Sequence, residues 1–306
     1  MTSVFRVPFP VLGLMAALLL ALPAQAQQSD PDSSVAPTDS SAAPVDGPAV
    51  PPDGVPSAPA PAAKPGKTGK TGKTDSGERI DEARQYLHCI SLARQKPEDG
   101  WEEALAWTSL GGGEPAEHCA AVALFGLKSY AESATRLQDL AQKSHRSNLL
   151  RAGMLDQAGQ AWLLDHQPEK AYAAITTALQ LVPGAPDLLV DRAQALAEAK
   201  NYRDALKDLD QALAADPNRV DALVFRASAR RILNNLDGAA ADIASALALD
   251  HLDPDAWLED GMVKRLRGDK TGARKAWMQV LTLAPKTPDA VTAQRNLELM
   301  DVETNK

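Results

Sequence analysis

The chain has 306 residues, a formal net charge of −8 and 44 % apolar residues, of which few are aromatic. That length suffices for one or two packed domains, and the acidic balance argues against nucleic acid as the partner. The abundance of alanine suits closely packed helices better than a sheet.

Residues 1–26 read as a secretory signal peptide. Arg6 supplies the positive start, residues 11–22 form an apolar run rich in Leu and Ala, and Ala24-Gln25-Ala26 is a small-x-small cleavage site before Gln27. The run is shorter than the roughly 20 residues a membrane span needs; an uncleaved anchor is the competing reading. The expected address is the periplasm, with secretion beyond the cell as second choice and no membrane span in the mature chain. Residues 27–77 are rich in Pro, Ala, Ser and Asp and poor in large apolar residues, which predicts a disordered tether. The tether ends in a run of Gly-Lys-Thr triplets from Gly66 to Thr74. A phosphate-binding loop needs a further glycine five positions before its Gly-Lys-Thr, and Pro61, Lys64 and Lys67 stand there instead. The run reads as a solvated linker or as a weak contact with an anionic envelope surface.

Residues 78–113 predict a helix pair. Its first helix carries Tyr86, Leu87 and Ile90, Pro97 divides the pair, Trp101 and Trp107 mark the second helix, and Gly111-Gly112-Gly113 ends it. Residues 114–151 predict a second pair. Cys89 and Cys119 fall in the first helix of each, and they are the only cysteines. An even count in an exported chain favours a disulfide; two buried thiols are the alternative. Each Cys follows a His, but neighbours on a helix point about 100° apart and do not share one ion easily, so no metal is expected.

Residues 152–285 fall into four blocks of 34 residues, starting at Ala152, Pro186, Val220 and Pro254. Column four reads Leu155, Leu189, Leu223, Trp257, and column eight Gly159, Ala193, Ala227, Gly261. Column twenty is alanine throughout: Ala171, Ala205, Ala239, Ala273. Column twenty-four reads Ile175, Leu209, Ile243, Trp277, and column thirty-two Pro183, Pro217, His251, Pro285. Small residues suit a close helix crossing, large ones fill the space beside it, and proline follows the second helix. The pattern resembles the tetratricopeptide repeat. By that resemblance residues 114–151 are an imperfect repeat, and residues 78–113 a degenerate repeat or cap. Residues 286–306 then hold a closing helix and tail, which such arrays need over their last apolar face.

The resemblance implies an all-α, right-handed solenoid whose first helices line a concave groove. In that register the groove residues are Asp156, Gln160, Val190, Gln194, Ser228, Arg231, Met262 and Arg265. Some members hold a peptide's terminal carboxylate with a Lys/Asn/Arg set; Asp156, Gln160 and Asp187 stand at the corresponding places, so that role is not expected. Column eleven turns from Trp162 to Arg230 and Lys264. With Arg226 and Arg267 these form a basic strip, read either as complementing helix dipoles or as receiving an acidic segment of a partner. No catalytic motif occurs, so neither an enzyme nor a cofactor is expected. The reading is a protein-binding scaffold of the bacterial periplasm, acting in envelope assembly or maintenance. The alternatives are a structural subunit of an envelope complex that uses the convex surface and edges, and a cofactor-assembly helper or enzyme.

Overall fold

The computed structural model describes residues 75–304, with side-chain surroundings from 81 to 302. The segment read as a signal peptide and nearly all of the one read as a tether lie outside the described residues; residues 75–77, read as the tether's end, are helical. Among the described residues there are thirteen α-helices and no strand. They are α1 (Asp75–Gln95), α2 (Pro97–Ser109), α3 (Gly113–Gly126), α4 (Tyr130–Lys143), α5 (Asn148–Leu164), α6 (Pro168–Leu181) and α7 (Pro186–Glu198). They continue as α8 (Tyr202–Ala215), α9 (Val220–Ile232), α10 (Leu236–Leu249), α11 (Pro254–Leu266), α12 (Lys270–Leu283) and α13 (Pro288–Thr304). None of them is long and apolar enough to cross a membrane.

From α2 onward each helix packs on the next, and from α5 onward each odd-numbered helix also packs on the next odd one. One helix pair cannot bury its apolar stripe alone, so this stacking makes the all-α repeat solenoid. From α7 to α12 the first helices have 13 residues and the second helices 14. α5 has 17, because residues 148–151 extend it at its start. Pro97, Pro168, Pro186 and Pro254 open helices at a position where the missing N–H costs nothing. Asn235, Asp253 and Asp269 cap theirs through a side-chain oxygen.

Within each pair from α3 onward the chain turns through one left-handed residue: Lys128, His166, Lys200, Asn234 and Gly268, with φ between 56° and 85°. The following N–H reaches back five residues, as from Asn201 to the Leu196 carbonyl and from Asn235 to Arg230, which closes the preceding helix. Glycine takes this conformation freely and asparagine tolerates it. At Lys128, His166 and Lys200 the packing of the two helices imposes it.

Column eight backs onto column twenty-four of the same unit. A methyl on Gly159 would strike Ile175, and one on Gly261 would strike Trp277. Trp277 is fully buried, and its indole N–H donates to the Leu258 carbonyl at 3.2 Å. The largest apolar cluster runs from Ala121 on α3 to Ala256 on α11. Separate clusters gather around the Cys89–Cys119 pair, around Ile243 and Val263, and around Trp277 with Leu297 and Met300 of α13. α13 thus covers the apolar face that α11 and α12 leave.

Candidate functional site

A cleft of about 400 Å³ opens on the side formed by the odd-numbered helices α1, α3, α5 and α7. Val122 and Phe125 of α3, Leu137 of α4 and Leu188 of α7 give it apolar walls. Asp156, Gln157 and Gln160 of α5 and Asp187 and Asp191 of α7 supply polar groups, and Arg94 of α1 is its one Lys or Arg. The Gln160 amide donates to Asp191 at 3.2 Å and to Asp156 at 3.4 Å, so the α5 and α7 walls are tied across the repeat boundary.

Behind Gln157 runs a polar chain through three first helices. The Gln157 carbonyl accepts from His118 Nε2 at 3.0 Å, which leaves His118 Nδ1 to accept from the Tyr86 hydroxyl, also at 3.0 Å. Burial holds the His118 imidazolium below the usual histidine range and raises the Tyr86 phenol, so the chain is neutral. Beside it, Cys89 on α1 and Cys119 on α3 are fully buried and paired, with Cα atoms 6.1 Å apart, placed for a disulfide. That spacing is ordinary for a disulfide. The pair fixes α1, and with it Arg94 and Ala93, as one wall of the cleft.

Of the eight groove residues expected from the repeat register, Asp156 and Gln160 line this cleft. Val190 does not: it is 0 % exposed and belongs to the main apolar cluster. Ser228, at 4 %, is buried against its own stack and accepts from Arg231 at 3.3 Å. Columns five and nine thus turn inward there, where consecutive first helices press together. Gln194, Arg231, Met262 and Arg265 lie outside the cleft, and Met262 packs on the C-terminal cluster.

The basic strip is not an open cationic surface. Arg226 grips Asp242 at 2.7 and 3.0 Å and reaches Asp210 at 2.8 Å, and Arg230 also binds Asp242 at 2.7 Å. Arg231 holds Glu259 of the next unit at 2.5 and 3.2 Å. Burial pushes the Glu259 carboxyl up, and Arg231 pulls it back. Lys264 pairs with Asp260 at 2.6 Å and Arg267 with Asp237 at 3.0 Å, and Arg265 is also engaged. The cations expected to receive an acidic segment already have carboxylates. Most of those partners sit on neighbouring helices, a distance of 12 to 30 residues in sequence that helix-by-helix reading does not bridge.

Sequence reasoning missed Arg94, Phe125, Gln157 and Asp191. Gln157 and Asp191 share column six, and that shared column was the available signal. A second recess, of about 600 Å³ between α6 and α8, is bordered by charges satisfied among themselves, Arg192 with Asp208 at 2.7 Å and Lys207 with Asp204 at 2.6 Å.

Residues 163–230 match the sequence model of the tetratricopeptide repeat family. No curated protein matches the chain. Among solved structures, TTC0263, a thermophilic tetratricopeptide repeat protein of Thermus thermophilus, is 18 % identical with a TM-score of 0.51; the match covers 60 % of this chain and 99 % of that one. YrrB, described as a tetratricopeptide repeat protein with an unusual peptide-binding site, is 16 % identical over 62 % of this chain and 96 % of its own, with a TM-score of 0.45. MamA of Desulfovibrio magneticus RS-1 is 20 % identical over 56 % of this chain and 94 % of its own, with a TM-score of 0.48. With a matching stretch inside an array that keeps the same 34-residue register on both sides, residues 163–230 are tetratricopeptide repeats and the array around them has the same repeat fold.

Proposed function

We propose that the protein is a protein-binding scaffold that holds one segment of a partner in the cleft between α3, α5 and α7. The observation that carries this is the composition of the cleft: an apolar wall of Val122, Phe125 and Leu188 beside Asp156 and Asp191, with Asp187 already held by Arg219 and Arg94 the one Lys or Arg of the lining. Such a lining favours a segment that presents an apolar side chain next to a Lys or Arg, and disfavours an acidic one. Selection from a random peptide library against residues 81–304 should enrich apolar–basic pairs. The enrichment should vanish in Asp191→Asn and survive Arg267→Glu, which lies outside the cleft. Enrichment of acidic peptides, or enrichment indifferent to Asp191→Asn, would sink this reading.

The setting we infer is the bacterial periplasm, with a role in assembly or maintenance of the envelope. Two features support it: the signal-like pattern of residues 1–26 and a pair of fully buried cysteines placed for a disulfide. Mass spectrometry of the protein from fractionated cells should find a mature chain starting at Gln27 and no free thiol after denaturation. An intact residue 1–26 segment on cytosolic protein with two free thiols would overturn the compartment.

A further inference from the structure

Column two places an aspartate in the first turn of four successive odd-numbered helices: Asp187, Asp221, Asp255 and Asp289. Between α7 and α9 a cation joins the first two. Arg219, the last residue of its 34-residue unit, donates to Asp187 at 2.5 Å and to Asp221 at 2.7 and 3.2 Å. Its side chain is 9 % exposed. Burial works against the charge, yet the hydrogen bonds to Asp221 and Asp187 hold the guanidinium above its usual range.

α11 packs on α13 as α7 packs on α9, but at that junction the same column holds Thr287. The Thr287 hydroxyl is spent locally, donating to the Ala284 carbonyl and accepting from the Ala290 N–H. Asp255 and Asp289 therefore face each other at this junction with no cation from that column between them. The charged groups acting on Asp255 are both carboxylates, Asp289 and Asp253, and Asp253 in turn faces Asp250. Asp289 is 6 % exposed and its Oδ1 has no hydrogen-bond partner; Asp255 keeps part of its surface in solvent. Burial first, and the facing carboxylates second, push Asp255 up to about 8. The guanidinium that Arg219 brings to the α7–α9 junction thus has no counterpart in the same column here.

We propose that the Asp255–Asp289 pair is a receptor for an arginine side chain of a partner protein, which completes in trans what Arg219 completes in cis. Paired carboxylates suit the planar fork of a guanidinium. A metal is the weaker occupant: among the described residues no group of three or more His, Cys, Asp or Glu is placed to hold one, and hard cations want more oxygen ligands than one such pair offers. The site stands apart from the cleft, three first helices beyond α7, and does not depend on it.

The test titrates the full chain, ¹³C-labelled at its aspartate carboxyls, with N-acetyl-arginine amide at pH 7 and constant ionic strength. N-acetyl-glutamine amide serves as the neutral control. The expected result is a saturable shift of the Asp255 and Asp289 carboxyl signals for the arginine compound alone. Asp289→Asn should weaken binding at least roughly tenfold, and Thr287→Arg, which places a guanidinium in the same column, should abolish it. Peptide selection at the cleft should be unchanged in both variants. Unmoved carboxyl signals would overturn the proposal, as would an equal response in wild type and Asp289→Asn, which would mean general charge attraction.

Discussion

Two units of one array, residues 152–185 and 220–253, pack the same helix pair with opposite chemistry. In the first, columns seven and twenty-three are Ala158 and Ala174, column eleven is Trp162, and all three are buried. In the second, the same columns are Arg226, Asp242 and Arg230, and both guanidiniums close on the one buried carboxylate of Asp242. Apart from residues 148–151, which extend α5 at its start, helix lengths and turn geometry barely change. The column demands volume and a satisfied surface, and a paired charge meets that demand as well as an indole. What differs is continuity. Around Trp162 the apolar cluster passes from unit to unit, whereas beyond Arg230 it narrows to Ala246 and Ala256 beside smaller clusters around Ile243 and Trp277.

The sharpest way to break this comparison is Asp242→Ala. It leaves two guanidiniums facing each other without their shared carboxylate, and the expected loss is about 3–5 kcal/mol. Chemical denaturation measures it. The triple change Arg226→Ala, Arg230→Trp, Asp242→Ala copies the first unit's columns and should recover most of that loss, since apolar replacement of a whole buried ion pair is often neutral. A triple variant as unstable as the single one would show that the two chemistries are not interchangeable. Next in size is Gly261→Ala, whose methyl is driven into Trp277 and should cost about 1–3 kcal/mol, with a shifted Trp emission.

A pH series tests the carboxylate junction beside that same tryptophan cluster. The Asp255 carboxyl is raised in the folded protein, so its contribution to stability is full below the unfolded-state value near 4. It is lost as pH climbs through about 8. Asp255→Asn should therefore raise the melting temperature relative to wild type at pH 8–9, with the gap closing toward pH 4. The smallest expected effect is Lys200→Gly, which relieves a left-handed lysine at φ 62° and should stabilise by roughly 1 kcal/mol. A loss there would mean that the lysine side chain contributes more than its backbone strain removes.

The solenoid was legible because its cause is periodic. Leu, Gly, Ala and Pro at fixed columns report the close crossing and the turn, and the structure places helices on them. The extra residues before Ala152 likewise lengthen α5. The site was legible only in part. Asp156 and Gln160 follow from register alone, because α5 meets solvent where the array begins its regular part. Val190 and Ser228 occupy equivalent columns and are buried, Val190 inside the main apolar cluster and Ser228 under Arg231. Charge was the least legible quantity. Arg231 and Glu259 stand 28 residues apart, in units that meet only after stacking, and one-dimensional reading sees two loose charges where the fold makes a pair.

The division of the apolar core has a mechanical consequence. A continuous core yields all at once, whereas neighbouring clusters joined by ion pairs can open in turn. Tension applied at the C-terminal end would first meet the Trp277–Leu297–Met300 cluster, then the one around Ile243, and only then the long cluster that backs the cleft.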